Sequence, residues 1–198
     1  KLRGYYIDNF VEEFENFSMM DSGHILGARG LLFGDDMFYT GDICTRQRGF
    51  LPGARVPKCK TLIMECTFGL PEFVFASVNE TIKKVNSIIS EMYAKGKPVI
   101  LLGYELGKAQ VLSDLFAHWE PLYYHDSIKK MNDLHRSFGI NLKDAIGHTE
   151  AESTGLLDKK PWVMVAPNMS GKSPFVNYMK SKYGAITIGF SGWAESSR

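Results

Sequence analysis

The chain has little cysteine, no long apolar run and almost no charge imbalance, and each shortage removes a class of protein. Its three cysteines, Cys44, Cys59 and Cys66, form an odd number without a CxxC pair. That argues against a disulfide framework and fits a reducing cytoplasm. No apolar run approaches the ~20 residues needed to cross a bilayer, and no stretch reads as a secretory leader, so no membrane partner is expected. The net charge is only +1, from 23 basic against 22 acidic residues, so any nucleic-acid footprint must be local. There is no GxGxxG. The Gly171-Lys172-Ser173 string lacks the first glycine of a P-loop, because Ala166 stands there, and a Walker motif is rejected. Internal repeats and low-complexity linkers are absent as well.

What is present suits a globular domain: 198 residues with 44% hydrophobic and 23% charged content can bury a sizeable core. Lys1 rather than methionine opens the chain, and an upstream region is expected. Two textures follow each other. Residues 1 to about 67 read as strands and turns. Gly30–Phe33 and Met37–Thr40 flank Gly34-Asp35-Asp36 as a hairpin, and Lys60–Met64 is a further β-type run.

From residue 76 helices alternate with buried strands. Ser77 and Glu80 have capping-box spacing, and Val78, Ile82, Val85, Ile89 and Met92 repeat at helical intervals up to Lys95, before Gly96 and Pro98. Val99–Leu102 reads as a strand covered on both faces. Further helices are expected over Lys108–His118, Ser127–Phe138 and Phe175–Lys182. The Ser127 helix should bury Ile128, Met131, Leu134 and Phe138. Strands are expected over Leu122–Tyr124, Trp162–Ala166 and Ala185–Phe190, and Gly147–Lys160 reads as an exposed loop. The alternation predicts an α/β fold with a parallel, doubly wound sheet.

Two polar residues stand where chemistry is plausible. His24 sits in Asp21-Ser22-Gly23-His24-Ile25-Leu26-Gly27-Ala28, between glycines and before a strand. Asp42 ends Tyr39-Thr40-Gly41-Asp42 after the next strand. A histidine and a carboxylate at one edge of neighbouring strands can share a divalent ion. Equally, they can be a turn histidine and a strand-end aspartate. His118, His125, His135 and His148 have no ligand spacing; His118 and His135 fall in expected helices, and all four read as structural or solvated.

GHILGA, then YTGD, then Glu65-Cys66-Thr67-Phe68-Gly69 after a β-run resembles the beta-CASP nucleases of the metallo-β-lactamase superfamily. The nearest subgroup holds archaeal messenger-RNA 3′-end processing factors and bacterial ligase-associated exonucleases. The resemblance implies part of an αββα metallo-β-lactamase fold over residues 1–69, an inserted doubly wound beta-CASP domain over 70–185, and a return to the first domain over 186–198. It makes His24 a metal ligand and Asp42 the carboxylate bridging two ions, zinc or alternatively manganese, which activate water. Glu65 is implied as the acidic residue beside the scissile phosphate.

Gly103-Tyr104-Glu105-Leu106-Gly107-Lys108-Ala109-Gln110 resembles the family's glycine turn into a helix, with Gly107 and Lys108 facing a phosphate. The bland reading is a glycine that makes the turn and a solvated lysine. Asn168–Ser173 resembles the family's small-residue phosphate loop, with Ser170, Gly171 and Ser173 as substrate contacts, and Ser191-Gly192-Trp193 also matches the subgroup.

The family's HxHxDH and SxH motifs are absent. Two ligands cannot hold a dinuclear site, so the chain is expected to be a piece of a longer enzyme and inactive by itself. The implied substrate is single-stranded RNA or DNA, with a homodimer as the candidate assembly. The rivals are a catalytically inactive nucleic-acid-binding scaffold, a thioesterase-like hydrolase of the same superfamily, which would lack the inserted domain, and an unrelated nucleotide-binding α/β domain.

Overall fold

The computed structural model describes residues 16–192. Trp193, the rest of the tail and the first fifteen positions, for which strands or turns are expected, lie outside the described residues. Among the described residues the chain forms two compact units, one of residues 16–47 and 51–67, the other of 48–50 and 68–192.

The first unit is a four-stranded sheet. β1 (Phe17–Asp21) pairs antiparallel with β2 (Arg29–Phe33), which pairs antiparallel with β3 (Met37–Tyr39). β4 (Thr61–Ile63) then lies parallel to β3. The expected hairpin is present: Gly34 takes a left-handed φ of 51°, and the Asp36 amide donates to Phe33 O at 3.1 Å. Phe38, 1% exposed, lies over Gly30, where a Cβ would come within 2.7 Å of the ring. Any larger residue at position 30 would displace that ring. With β1 up, β2 down and β3 and β4 up, the carboxyl ends of β1, β3 and β4 share one edge.

The second unit is mixed α/β around a four-stranded, wholly parallel sheet in the order β6-β7-β5-β8. Its strands are β5 (Val99–Gly103), β6 (Leu122–Tyr124), β7 (Val163–Pro167) and β8 (Ile186–Gly189). Its helices are α1 (Val78–Ala94), α2 (Lys108–Leu115), α3 (Asp126–Ser137), α4 (His148–Ser153) and α5 (Pro174–Tyr183). β5 is apolar throughout because both of its faces are covered. Val99 and Leu101 meet α1, α2 and α3 through Val85, Ile89, Leu112 and Ile128. Ile100 and Leu102 meet α4 and α5 through Ala151, Val176 and Met179. Each such side chain contributes about 1.5–3 kcal/mol by burial. At the start of α1, Ser77 Oγ accepts from the Glu80 amide (3.2 Å) and Glu80 Oε2 from the Ser77 amide (2.9 Å). Val85 and Ile89 of this helix are buried; Ile82, expected beside them, is half-buried.

Three sequence expectations fail here. Residues 147–160 are not an exposed loop: they form α4 and a 3-10 turn (Leu156–Asp158), anchored by fully buried Ala151 and Leu157 and by the Trp162 indole donating to Leu157 O at 2.9 Å. The Lys108 helix stops at Leu115, and His118 lies in a turn where its Nε2 meets Asn86 Oδ1 at 3.2 Å. α3 buries Ile128, Asn132 and His135 and leaves Leu134 and Phe138 47% and 70% exposed. Its inner face holds a polar chain that apolar periodicity cannot reveal. The Gly107 amide donates to Gln110 Oε1 (2.7 Å), Gln110 Nε2 to Asn132 Oδ1 (3.1 Å), Asn132 Nδ2 to Ser113 Oγ (3.0 Å) and Ser113 Oγ to Ala109 O (2.8 Å).

Candidate active site

In the first unit three strand ends deliver three candidate side chains to one edge. After β1, Asp21 Oδ1 accepts from the Gly23 amide at 2.8 Å, and Gly23 turns with φ 64°. The glycine is required twice over, because a Cβ there would lie 2.4 Å from Cys44 O and 2.6 Å from Ala54 N. The Cys44 amide donates to Ser22 O at 2.9 Å, tying the segment after β3 to this turn. His24 and Asp42 are thereby brought together, with Nε2 3.7 Å from Oδ2. Their side chains are 40% and 73% exposed, so the pair contributes little to stability.

Glu65 follows β4, whose carboxyl end is joined to β3 by the Thr40 amide donating to Ile63 O at 3.0 Å. Its Oε1 accepts from the Ile43 amide at 3.2 Å, directly beside Asp42, and its Oε2 from the Thr67 hydroxyl at 2.6 Å. The Thr67 hydroxyl first, then the Ile43 and Thr67 amides and nearby His24, hold the carboxyl below the usual glutamate range against a smaller opposing effect of burial. Glu65 is thus held as an ionised acceptor next to a histidine and a second carboxylate. Thr67 was not singled out from the sequence, although its place two residues after Glu65 is the spacing of a local hydroxyl–carboxylate bond.

Do these donors fit a metal centre? Among the described residues no group of three or more His, Cys, Asp and Glu is arranged to hold a metal ion. His24 and Asp42 supply two donors, against about four for each zinc. The residues present therefore do not fit a dinuclear site by themselves.

The remaining candidates belong to the second unit. Gly107 precedes α2 with φ 88°, and its amide is already committed to Gln110. Lys108 Nζ donates to Phe190 O at 3.0 Å and lies 5.3 Å from the centre of the Tyr104 ring. Burial first, then the neighbouring Arg48 guanidinium, lowers the Lys108 pKa. Arg48, 60 positions earlier in the chain, carried no local signal that it would adjoin this lysine. The Ser170 carbonyl accepts from the Ser173 amide at 2.9 Å, Ser170 Oγ accepts from the Lys172 amide at 3.3 Å, and nothing crowds Gly171. The Ser173 hydroxyl caps α5 by accepting from the Val176 amide at 3.2 Å. Both loops leave the carboxyl edge of adjacent strands β5 and β7.

Comparison with known proteins places the chain more widely. No family model matches it. It is 28% identical to a probable DNA ligase of Opitutus terrae over 87% of this chain and 17% of that protein. It is 29% identical to the transcription termination factor FttA of Methanothermobacter thermautotrophicus, over 66% of this chain and 24% of that one. An RNase J-like protein of Methanocaldococcus jannaschii is 24% identical over 89% of this chain and 48% of its own length. The chain thus spans less than half of each of these relatives. At this low identity the chain is similar to a probable DNA ligase, a transcription termination factor and an RNase J-like protein, each over only part of that protein's length.

Proposed function

We propose that this chain carries part of a metal-dependent nuclease that hydrolyses phosphodiester bonds in single-stranded RNA or DNA, in RNA 3′-end processing or decay. Residues 1–69 are read as part of a metallo-β-lactamase domain, 70–185 as a beta-CASP domain and 186–198 as the return to the first. One observation carries the reading: three strand ends bring His24, Asp42 and Glu65 to a single edge, with His24 and Asp42 3.7 Å apart. The relatives, a ligase, a transcription termination factor and an RNase J-like protein, favour nucleic acid over a thioester as substrate.

In this reading Asp42 and His24 are metal donors, and the remaining donors lie outside the described residues. Glu65 supports proton transfer, with its charge kept by Thr67 and the Ile43 amide. Lys108 and the Ser170, Gly171 and Ser173 loop hold phosphates of the strand, whereas Gly107, whose amide is taken by Gln110, shapes the turn that presents Lys108. The shortage of donors is the observation that favours the second reading, a nucleic-acid-binding scaffold without activity.

End-labelled single strands incubated with zinc or manganese separate the two. A protein that supplies the missing donors is expected to cut them, and Asp42→Asn to abolish cutting without changing the unfolding midpoint, since Asp42 is largely exposed. Residues 1–198 alone are expected to be inactive. Strong metal-dependent cleavage by those residues would overturn this account of the site. A complete protein that binds strands and cuts none would establish the scaffold.

A further inference from the structure

Among the described residues, the connections that follow neighbouring strands β5 and β7 diverge. β5 leads through α2 on one face to β6, whereas β7 leads through α5 on the other face to β8. The carboxyl ends of β5 and β7 are thus a point where adjacent connections leave on opposite faces, the usual ligand position in a sheet of this kind. Tyr104 is the first residue beyond β5. Its backbone is fixed, because Tyr104 O accepts from the Ala109 amide at 3.0 Å and Gly103 before it approaches α2 closely. Its side chain nevertheless remains 50% exposed, followed by Leu106 at 47%.

Charge at the same spot has a definite arrangement. Lys108 Nζ stands over one face of the Tyr104 ring, 5.3 Å from its centre, and is held there by Phe190 O at 3.0 Å, so a base would stack on the other face. An ammonium has three donors, and this bond occupies one. The Arg48 guanidinium acts on Lys108 as a further positive charge. The neighbouring Glu105 carboxylate acts on His125, beyond β6. An exposed aromatic ring with an adjacent cation matches the two parts of a nucleotide: a π-face for the base and positive charge for the phosphate.

We infer that Tyr104 is a stacking platform for one base of a single-stranded nucleic acid, with the adjoining phosphate received by Lys108. The inference rests on the nucleic-acid reading above and adds the residue that would contact a base. A tyrosine face accepts any base, so this position contributes affinity and register rather than sequence choice.

The test is fluorescence anisotropy with the full 198-residue chain, using labelled oligo-dT and oligo-rU of about ten nucleotides, within the usual span of single-strand sites. Tyr104→Leu is expected to weaken binding by about fivefold to about a hundredfold, the loss of one stacked base. Its salt dependence should stay unchanged, whereas Lys108→Ala should flatten it by removing a phosphate contact. Tyr104→Trp is expected to keep binding and to show quenched indole emission when the strand is added. An abasic oligomer should bind the unaltered chain as weakly as the normal oligomer binds Tyr104→Leu. Equal binding of Tyr104→Leu and the unaltered chain, or of abasic and normal oligomers, overturns the stacking inference and leaves the nucleic-acid reading standing. No binding of any oligomer at low salt overturns both.

Discussion

Replacing Asn132 by alanine tests whether the buried polar chain beneath α2 and α3 holds the Gly107–Lys108 turn. Asn132 is fully buried, accepts from Gln110 Nε2 at 3.1 Å and donates to Ser113 Oγ at 3.0 Å. Truncation leaves a buried Gln110 N–H without its acceptor, a loss of about 1–3 kcal/mol. A cavity of roughly 25 Å³, at about 24 cal/mol per Å³, adds about 0.6 kcal/mol. The sum, about 2–4 kcal/mol, is a large part of the ~5–15 kcal/mol that holds a domain together. With a urea slope of about 2 kcal/mol/M, the midpoint should fall by about 1–2 M.

Trp119 and Trp162 report on this unit, so emission during urea unfolding is a direct assay. Exposed Lys130→Ala on the same helix is the control and should stay within about 0.5 kcal/mol. The polar chain ends at the Gly107 amide, which should also exchange with solvent faster in the Asn132 variant. A loss below about 1 kcal/mol with unchanged Gly107 exchange would refute the argument, because the partners would then have found substitutes.

Thr67→Ala removes the largest influence on Glu65 and should raise its pKa toward the ordinary glutamate value of 4.5, as read by carboxyl NMR titration. The sign for stability follows: a depressed pKa stabilises the first unit at pH above the ordinary value, and that contribution is lost as the pH falls through the depressed pKa. Thr67→Ala should therefore flatten the acid limb of unfolding, and an unmoved Glu65 titration would refute the assignment. Gly23→Ala forces a left-handed φ of 64° on a residue with a Cβ, at about 1–2 kcal/mol, and drives that Cβ into Cys44 O and Ala54 N. Faster amide exchange across β1 and β2 is expected, and unchanged exchange would show that the turn relaxes without strain.

Local rules read most of the second unit correctly. Ser77 and Glu80 announce the start of α1 because their reciprocal bonds lie within one turn. The uninterrupted Val99–Leu102 run announces a strand covered on both faces. The same rules misread residues 147–160, whose polar exterior hides two inward side chains, Ala151 and Leu157. On α3 they chose the wrong face, because Asn132 and His135 are buried against partners that lie 19 or more positions away or, for His135, one turn back at Met131 O.

The candidate site divides in the same way. GHILGA, YTGD and ECTFG are contiguous strings, so the sequence alone could nominate His24, Asp42 and Glu65 and the turns that present them. Their meeting depends on strand directions: β2 must run against β1 and β3, and β4 must run with β3, before three carboxyl ends share an edge. Likewise Tyr104 and Lys108 stand in one contiguous string, but no local pattern relates them to Arg48 or Phe190. Only packing at the carboxyl edge of a parallel sheet fixes the Lys108 cation with the distant Phe190 carbonyl. Short-range hydrogen bonding and periodicity are written in consecutive residues, whereas charge placement at a site is set by which strand ends become neighbours.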